Sequence, residues 1–180
     1  MSTRGPMLRI GLAFVAGLVL PALLFLAVGY AGLFPVSATP SPSRLETALA
    51  RQFVHRSLAR EARSVKVPPA PREEATLLQG LRVYRRNCSG CHGKFGAASR
   101  WGTSSFYPRV PQFADEGSTL GPAEMFLVVK HGIRGTGMGA WPVNLSDEDI
   151  WPIVWFLQRI RTLPPEVERE WKAPPQAPAR

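Results

Sequence analysis

At 180 residues the chain has room for one domain with appendages. Its two cysteines and three histidines, with no second C-x-x-C and no H-x3-H pair, do not supply the four ligands of a structural zinc. The formal net charge of +9 does not form a nucleic-acid signature: six cations against Glu46 and Glu61 give +4 over 44–66, and 72–163 carries only +3. The excess sits next to a long apolar run, where anionic headgroups or an acidic partner would meet it.

That run, Ile10 to Ser37, holds 28 residues without a charge, whereas ~20 span a hydrocarbon core. Arg4 and Arg9 precede it. The positive-inside rule therefore places 1–9 in the cytoplasm and the remainder on the far side of a transmembrane anchor at 10–37. Val36-Ser37-Ala38 resembles a signal-peptide cleavage site, but signal h-regions run only ~7–15 residues, which favours an uncleaved anchor. Pro21 lies mid-span and is expected to kink the helix.

Thr39-Pro40-Ser41-Pro42 breaks the helix, and Ser43-Arg44-Leu45-Glu46 reads as a reciprocal capping box for a juxtamembrane helix from Arg44 to Ser64. Leu45, Leu49 and Phe53 form one apolar stripe, and Val54, Leu58 and Ala62 a neighbouring one. The helix can pack on the main domain or lie along a bilayer. His55 on it is read as structural or solvated. Val67-Pro68-Pro69-Ala70-Pro71 is a stiff linker, so 38–71 forms a juxtamembrane region and 72–163 the main domain. Glu73 and Glu74 start a helix with Leu77, Leu78, Leu81 and Tyr84 on its apolar face.

That helix runs into Cys88-Ser89-Gly90-Cys91-His92. C-x-x-C-H is the attachment signature of a c-type haem: each thiol adds across a vinyl group, and the imidazole takes the iron. A redox dithiol would need a βαβ context, which the surrounding pattern lacks. The expected cofactor is one covalent haem c held by Cys88 and Cys91, with His92 as an axial ligand.

From Gly93 to Gly121 glycine, serine, proline and aromatics alternate without period, as in a loop wrapped on a cofactor. Pro122 opens a short helix to His131, and Gly132 to Asn144 is a second loop. Ser146 caps the last expected helix, whose buried side is Ile150, Ile153, Val154, Phe156, Leu157 and Ile160. Arg159 and Arg161 suit its C-terminal dipole, and Pro164-Pro165 is expected to stop it, leaving 164–180 as a proline-rich tail, disordered from Ala173.

The second axial ligand is expected to be Met138 in Gly135-Thr136-Gly137-Met138-Gly139, 46 residues after His92. The glycines permit close backbone approach, and a thioether raises the potential above a bis-histidine site. Met125 and His131 are the rivals, the first as core filler. A ligating histidine donates its other N–H to an acceptor; of the Pro108 and Pro111 carbonyls, Pro111 is preferred. Arg100, Trp101 and Arg134 are candidate propionate donors.

Gly80-x3-Tyr84-x3-Cys88-x2-Cys91-His92, Gly135-Thr136-Gly137-Met138 and an aromatic C-terminal helix together resemble class I cytochrome c, over Glu73 to Leu163. The resemblance implies an all-α fold in which the N- and C-terminal helices cross near-perpendicularly at Gly80, with Tyr84 against Ile153 and Phe156. Ser105 to Phe113 and Lys130-His131-Gly132-Ile133 resemble membrane-anchored monohaem cytochromes of bacteria. The implied role is single-electron transfer between respiratory partners from the periplasmic face of the inner membrane, with no catalytic constellation. The alternatives are a fixed subunit of an oxidase, reductase or dehydrogenase complex, or a gas sensor or haem enzyme with a displaceable sixth ligand. Gly139 replaces the proline usual after the methionine, which points to a more labile ligand loop.

Overall fold

The computed structural model describes residues 4–174; residues 1–3 and 175–180 lie outside it, the latter being all but the first two residues of the tail expected to be disordered from Ala173. The described chain divides into two units, one up to Ser37 and one from Ala38 onward. Among the described residues every regular element is helical, apart from an isolated bridge between Lys94 and Ala97.

The first unit is helix α1, Arg4–Tyr30, continuous through Pro21. Its stretch Arg9–Tyr30 is long and apolar enough to cross a membrane by length and composition. The helix stops short of the expected end at Ser37. Gly32, at φ +70°, terminates it: its N–H bonds Gly29 O at 3.0 Å and Leu33 N–H bonds Val28 O at 3.1 Å, the paired bonds of a Schellman stop that only a left-handed residue closes cheaply. The Phe34 ring then folds back onto Phe25, centroids 5.1 Å apart.

In the second unit, α2 spans Arg44–Glu61 and tightens into a 3₁₀ turn at Ala62–Ser64. Ser43 Oγ accepts from Glu46 N–H at 3.1 Å, but the expected capping box is only half made. The Glu46 carboxylate instead lies beside the Tyr107 hydroxyl and raises the Tyr107 pKa. The two apolar stripes also part company. Val54, Leu58 and Ala62 are half-buried where α2 and its terminal turn pack on α7 (Pro122–His131), while Leu45, Leu49 and Phe53 stay exposed. Val65, beyond the turn, packs on the main core. The proline linker therefore does not separate α2 from the haem-motif domain.

The core is built on the crossing of α3 (Glu74–Asn87) with α8 (Asp147–Gln158). A Cβ at Gly80 would collide with the Pro152 carbonyl, so glycine there permits backbone contact that no other residue allows. Leu77, Leu81, Tyr84, Ile150, Ile153, Val154 and Phe156 are fully buried around it. The Tyr84 and Phe156 rings lie 5.6 Å apart. Between the two helices run the short helices α4 (Ser89–His92), α5 (Arg100–Ser104) and α6 (Phe113–Glu116), then α7. The first loop is thus punctuated by α5 and α6 rather than wholly irregular, because Ser99 Oγ caps Gly102 N–H at 3.0 Å.

The C-terminal end departs most from expectation. α8 closes at Gln158, with Arg159 at its cap and Arg161 beyond its last turn. Pro164 and Pro165 do not open a tail. Pro165 occupies the first turn of α9, Pro165–Lys172, where a missing N–H costs nothing. Val167 and Trp171 are buried, and the Trp171 ring meets Tyr84 at 5.7 Å and Phe156 at 5.4 Å, both edge-on. Arg85 holds the far end of α9: its guanidinium pairs with the Glu170 carboxylate at 2.9 Å and donates to the carbonyls of Glu170, Trp171 (3.1 Å) and Ala173 (2.9 Å).

Trp171, only 4 % exposed, should therefore count as core. Trp171→Ala is expected to lower the unfolding free energy of the matured protein by about 3–5 kcal/mol, measured by guanidinium titration. A loss under about 0.5 kcal/mol, the range of a surface substitution, would place α9 outside the cooperative unit.

Candidate haem site

α3 delivers the site. Cys88 N–H closes onto Tyr84 O at 2.8 Å, and the chain then makes one tight turn. Cys91 and His92 N–H groups both bond Cys88 O, at 3.1 and 2.9 Å, and Ser89 Oγ donates to Arg85 O at 2.7 Å. That turn sets two half-buried, unbridged thiols and an imidazole side by side. Gly93, at φ +79°, ends it. Burial pushes the Cys88 thiol up to about 12, with the neighbouring Cys91 adding to the rise.

The imidazole is held by two contacts. Its Nδ1 lies 3.0 Å from Pro111 O. A carbonyl only accepts, so Nδ1 carries the proton and Nε2 keeps its lone pair. The Phe113 ring stacks on it at 4.6 Å, 15° from parallel. Burial lowers the His92 pKa against the opposing effect of the Pro111 bond, which keeps the ring neutral. Behind it the buried Tyr84 hydroxyl donates to Gly93 O at 2.8 Å, with His92 O at 3.2 Å; its burial raises the phenol pKa well above the usual tyrosine range.

Gln112, 5 % exposed, belongs to no motif, yet it ties the loop to the attachment turn. Its Oε1 accepts from Ser99 N–H at 2.7 Å, and its Nε2 donates to Cys91 O at 3.1 Å and Val110 O at 2.9 Å. A Cβ at Gly102 would strike Cys91 O, so α5 packs directly beneath the turn.

Met138 stands in the second loop, where Gly132 (φ +68°) lets α7 end against the Met138 backbone. Ile133 N–H bonds Met138 O at 3.0 Å. Thr136 Oγ1 accepts from Met138 N–H at 3.1 Å while donating to Ile133 O at 2.8 Å. Gly137 approaches the Phe106 ring so closely that there is no room for a Cβ.

Cys88, Cys91, His92, Pro108, Pro111 and Met138 share one cleft of about 400 Å³, whose other walls include Phe106, Val110, Ile133 and Trp141. Met125 does not reach it, lying 2 % exposed in the core, and the exposed His131 at the end of α7 does not line it. Neither do the expected propionate donors. Arg100 and Arg134 are exposed, and Trp101 is committed to an edge-on contact with Phe106 at 4.8 Å. The polar residues that do line it, besides the ligand candidates, are Asn87, Arg109, Thr136, Trp141 and Asn144. Arg109 donates to four carbonyls: Ala38 (3.2 Å), Thr39 (2.6 Å), Ser104 (2.7 Å) and Phe106 (2.8 Å). No spacing in the sequence marks Arg109 or Gln112, because both act on backbone atoms of distant segments.

The donor set fits a haem c: two thiols for the vinyl groups, an imidazole with a free Nε2 and a thioether, all on one largely apolar cleft. Among the described residues no three histidine, cysteine or carboxylate side chains converge to hold a bare metal ion. Residues 75–157 match the family described as cytochrome c oxidase, cbb3-type, subunit III. The domain is a class I c-type cytochrome. A comparison with curated proteins finds no match. The family match runs from the first turn of α3 almost to the end of α8, so α1, α2 and α9 are additions to the matched cytochrome region.

Within this cytochrome, Gln112→Leu is expected to leave the Ser99 N–H and Cys91 O without partners. The cost should be about 1–3 kcal/mol for each polar group left buried, measured as a shift in the guanidinium midpoint. An unchanged midpoint would mean that Gln112 does not join the loop to the attachment turn.

Proposed function

We propose that the chain is a membrane-anchored monohaem c-type cytochrome that carries single electrons between respiratory partners and is not itself an enzyme. The observation that carries this reading is the convergence of Cys88, Cys91, His92 and Met138 on one cleft. When bound, haem c supplies a one-electron couple at its iron. The chain's residues then have distinct tasks. Cys88 and Cys91 hold the cofactor by thioether bonds. His92 offers Nε2 to the iron, its ring fixed by Pro111 and Phe113. Met138 offers its sulfur from the other loop, where the Thr136 hydroxyl pins the backbone. Trp141 and Asn144 are polar groups available to the propionates, in place of Arg100, Trp101 and Arg134, while Arg109 is spent on backbone carbonyls. Were His92 and Met138 both bound to the iron, no position would be left for a substrate, and the fold would serve to limit rearrangement between the two oxidation states.

The anchor reading rests on the uncharged run before Ser37 and on Arg4 and Arg9 ahead of it. It places the protein in a bacterial inner membrane, single-pass, with its N-terminus cytoplasmic and its haem domain periplasmic. A second reading is favoured by a specific observation: the matched family is described as a subunit of an oxidase. On that reading the same haem is a fixed relay within a larger complex. A stoichiometric redox partner retained through mild detergent extraction supports the fixed subunit; a monodisperse single chain supports the carrier.

The ligand assignment is tested by substitution. Met138→Ala should keep the covalent haem, lose the low-spin His/Met absorption and lower the reduction potential. Met125→Ala should keep that absorption and instead cost about 2–5 kcal/mol of stability, as a buried methionine truncation does. The opposite pattern would overturn the assignment. Gly139 is not required by space, since a Cβ there meets nothing within 4 Å. Gly139→Ala should therefore slow carbon monoxide binding to the ferrous protein, by restricting the open loop by about 0.4–1 kcal/mol; stopped-flow mixing reads this directly.

A further inference from the structure

We infer that the haem domain works on a short leash, docked against the segment that leaves the anchor, so that its partner is a redox protein embedded in the same membrane with its own cofactor close to the bilayer face. The inference rests on the anchored-cytochrome reading above and deepens it by naming the class of partner.

The residues between the apolar helix and the haem domain read, from sequence, as a jointed arm of extended chain, helix and proline linker. Such an arm from Pro35 to Pro71 would reach on the order of 90 Å. A domain on it could meet soluble carriers and membrane partners alike. Three contacts close the arm. The Arg109 guanidinium, itself on the wall of the haem cleft, donates to the carbonyls of Ala38 and Thr39. It is held there by Ser104 O and Phe106 O, so the fork is fixed at both ends. Tyr107, two residues earlier, lies beside the Glu46 carboxylate in the first turn of α2, which raises its pKa. Further along, the buried edge of α2 and its 3₁₀ turn pack on α7, and Val65 joins the core.

Arginine suits the first of these contacts. A planar guanidinium presents several donors in fixed directions and can bridge carbonyls of two separate segments, which a lysine ammonium does less well. Its acceptors are backbone atoms, so the contact depends on where the chain runs and not on which side chains the 38–39 segment carries.

At the other end, residues 31–34 belong with the anchor helix through the Gly32 stop and the Phe34–Phe25 contact. Only the steps from Phe34 to Ala38 lie between the two tied ends. Four residues reach at most ~14 Å. This is a bound from covalent length alone. It shortens the arm severalfold and sets the limit at the cleft wall itself, since Arg109 is both clamp and lining. A partner whose cofactor stands far above the bilayer lies outside that reach, whereas one embedded beside the anchor lies within it at high effective concentration.

The test uses the full-length, matured protein in phosphatidylcholine nanodiscs containing a trace of headgroup-labelled fluorescent lipid, whose emission the haem quenches by energy transfer. A ten-residue Gly-Ser insert adds an r.m.s. span of roughly 17 Å where it is free to extend. Placed between Val36 and Ser37, it should weaken the quenching at least about twofold, given that added span. Placed between Pro69 and Ala70, it should leave quenching unchanged, because the contacts of 38–65 bypass that site. Equal weakening by both inserts overturns the inference, as does no change with either. Amide exchange of the unmodified protein gives a second reading independent of the inserts. Slow exchange across α2 supports the docked arm, and exchange as fast as that of the free 44–61 peptide overturns it. A protein that washes out of the nanodiscs altogether sinks the anchor reading instead, which separates the two failures.

Discussion

The site depends on one close approach, the backbone of Gly80 against the carbonyl of Pro152. α3 ends in the attachment turn, so the distance and angle at which α3 meets α8 determine where Cys88 and His92 stand. A side chain at position 80 would force the helices apart and carry the turn with them. Pro152 adds to the constraint from the other partner. Lacking an N–H, it interrupts the α8 ladder inside the helix. The two residues least suited to helix interiors therefore meet at the centre of the fold. Their cost in propensity is offset by the seven fully buried side chains that the close crossing brings together.

From that crossing a chain of contacts reaches the imidazole. Tyr84 packs on Phe156 and Trp171 and spends its hydroxyl on the Gly93 and His92 carbonyls. Arg85, next in sequence, turns the other way and holds the end of α9, which presses Trp171 onto Tyr84. Two consecutive residues of α3 thus fix the attachment turn from one side and its supporting helix from the other. Gln112 completes the frame with three hydrogen bonds from a buried amide, the arrangement in which loss of a partner costs most.

Much of this is legible in the sequence where local rules govern. The apolar faces of α3 and α8, the serine caps at Ser43 and Ser146 and the proline opening α7 come from period and capping, while the small residue at the crossing comes from the family resemblance. The features that escape a sequence reading turn on tertiary partners. Pro164-Pro165 reads as a stop only if no apolar face lies beyond it, but Val167 and Trp171, four apart, make one face of a helix with Tyr84 and Phe156 to cover. Glu46 fits a capping box, but its carboxylate lies beside Tyr107 and makes no return bond to Ser43. Arg109 and Gln112 carry no signature because their partners are carbonyls, which every residue has. Arg100, Trp101 and Arg134 look suitable as donors near the motifs, but they lie off the cleft lining, because a loop folded on itself need not keep sequence neighbours together.

The two sides of the cleft are secured in different ways. The histidine side is bound by long-range contacts: Pro111, Phe113 and Gln112 reach back some twenty residues, and Tyr84 approaches from the core. The methionine side is held mainly by its own loop, through Thr136, Ile133 and the glycine at 132, with the Phe106 ring under Gly137 as its outside support. Local bonds of this kind open at lower free energy than bonds that require the core to part. If the cleft holds its haem as proposed, the sulfur is the ligand that exchanges and the imidazole the one that stays. Oxidation-linked rearrangement would then be confined to residues 132–139, leaving the attachment turn and the helix crossing beneath it undisturbed.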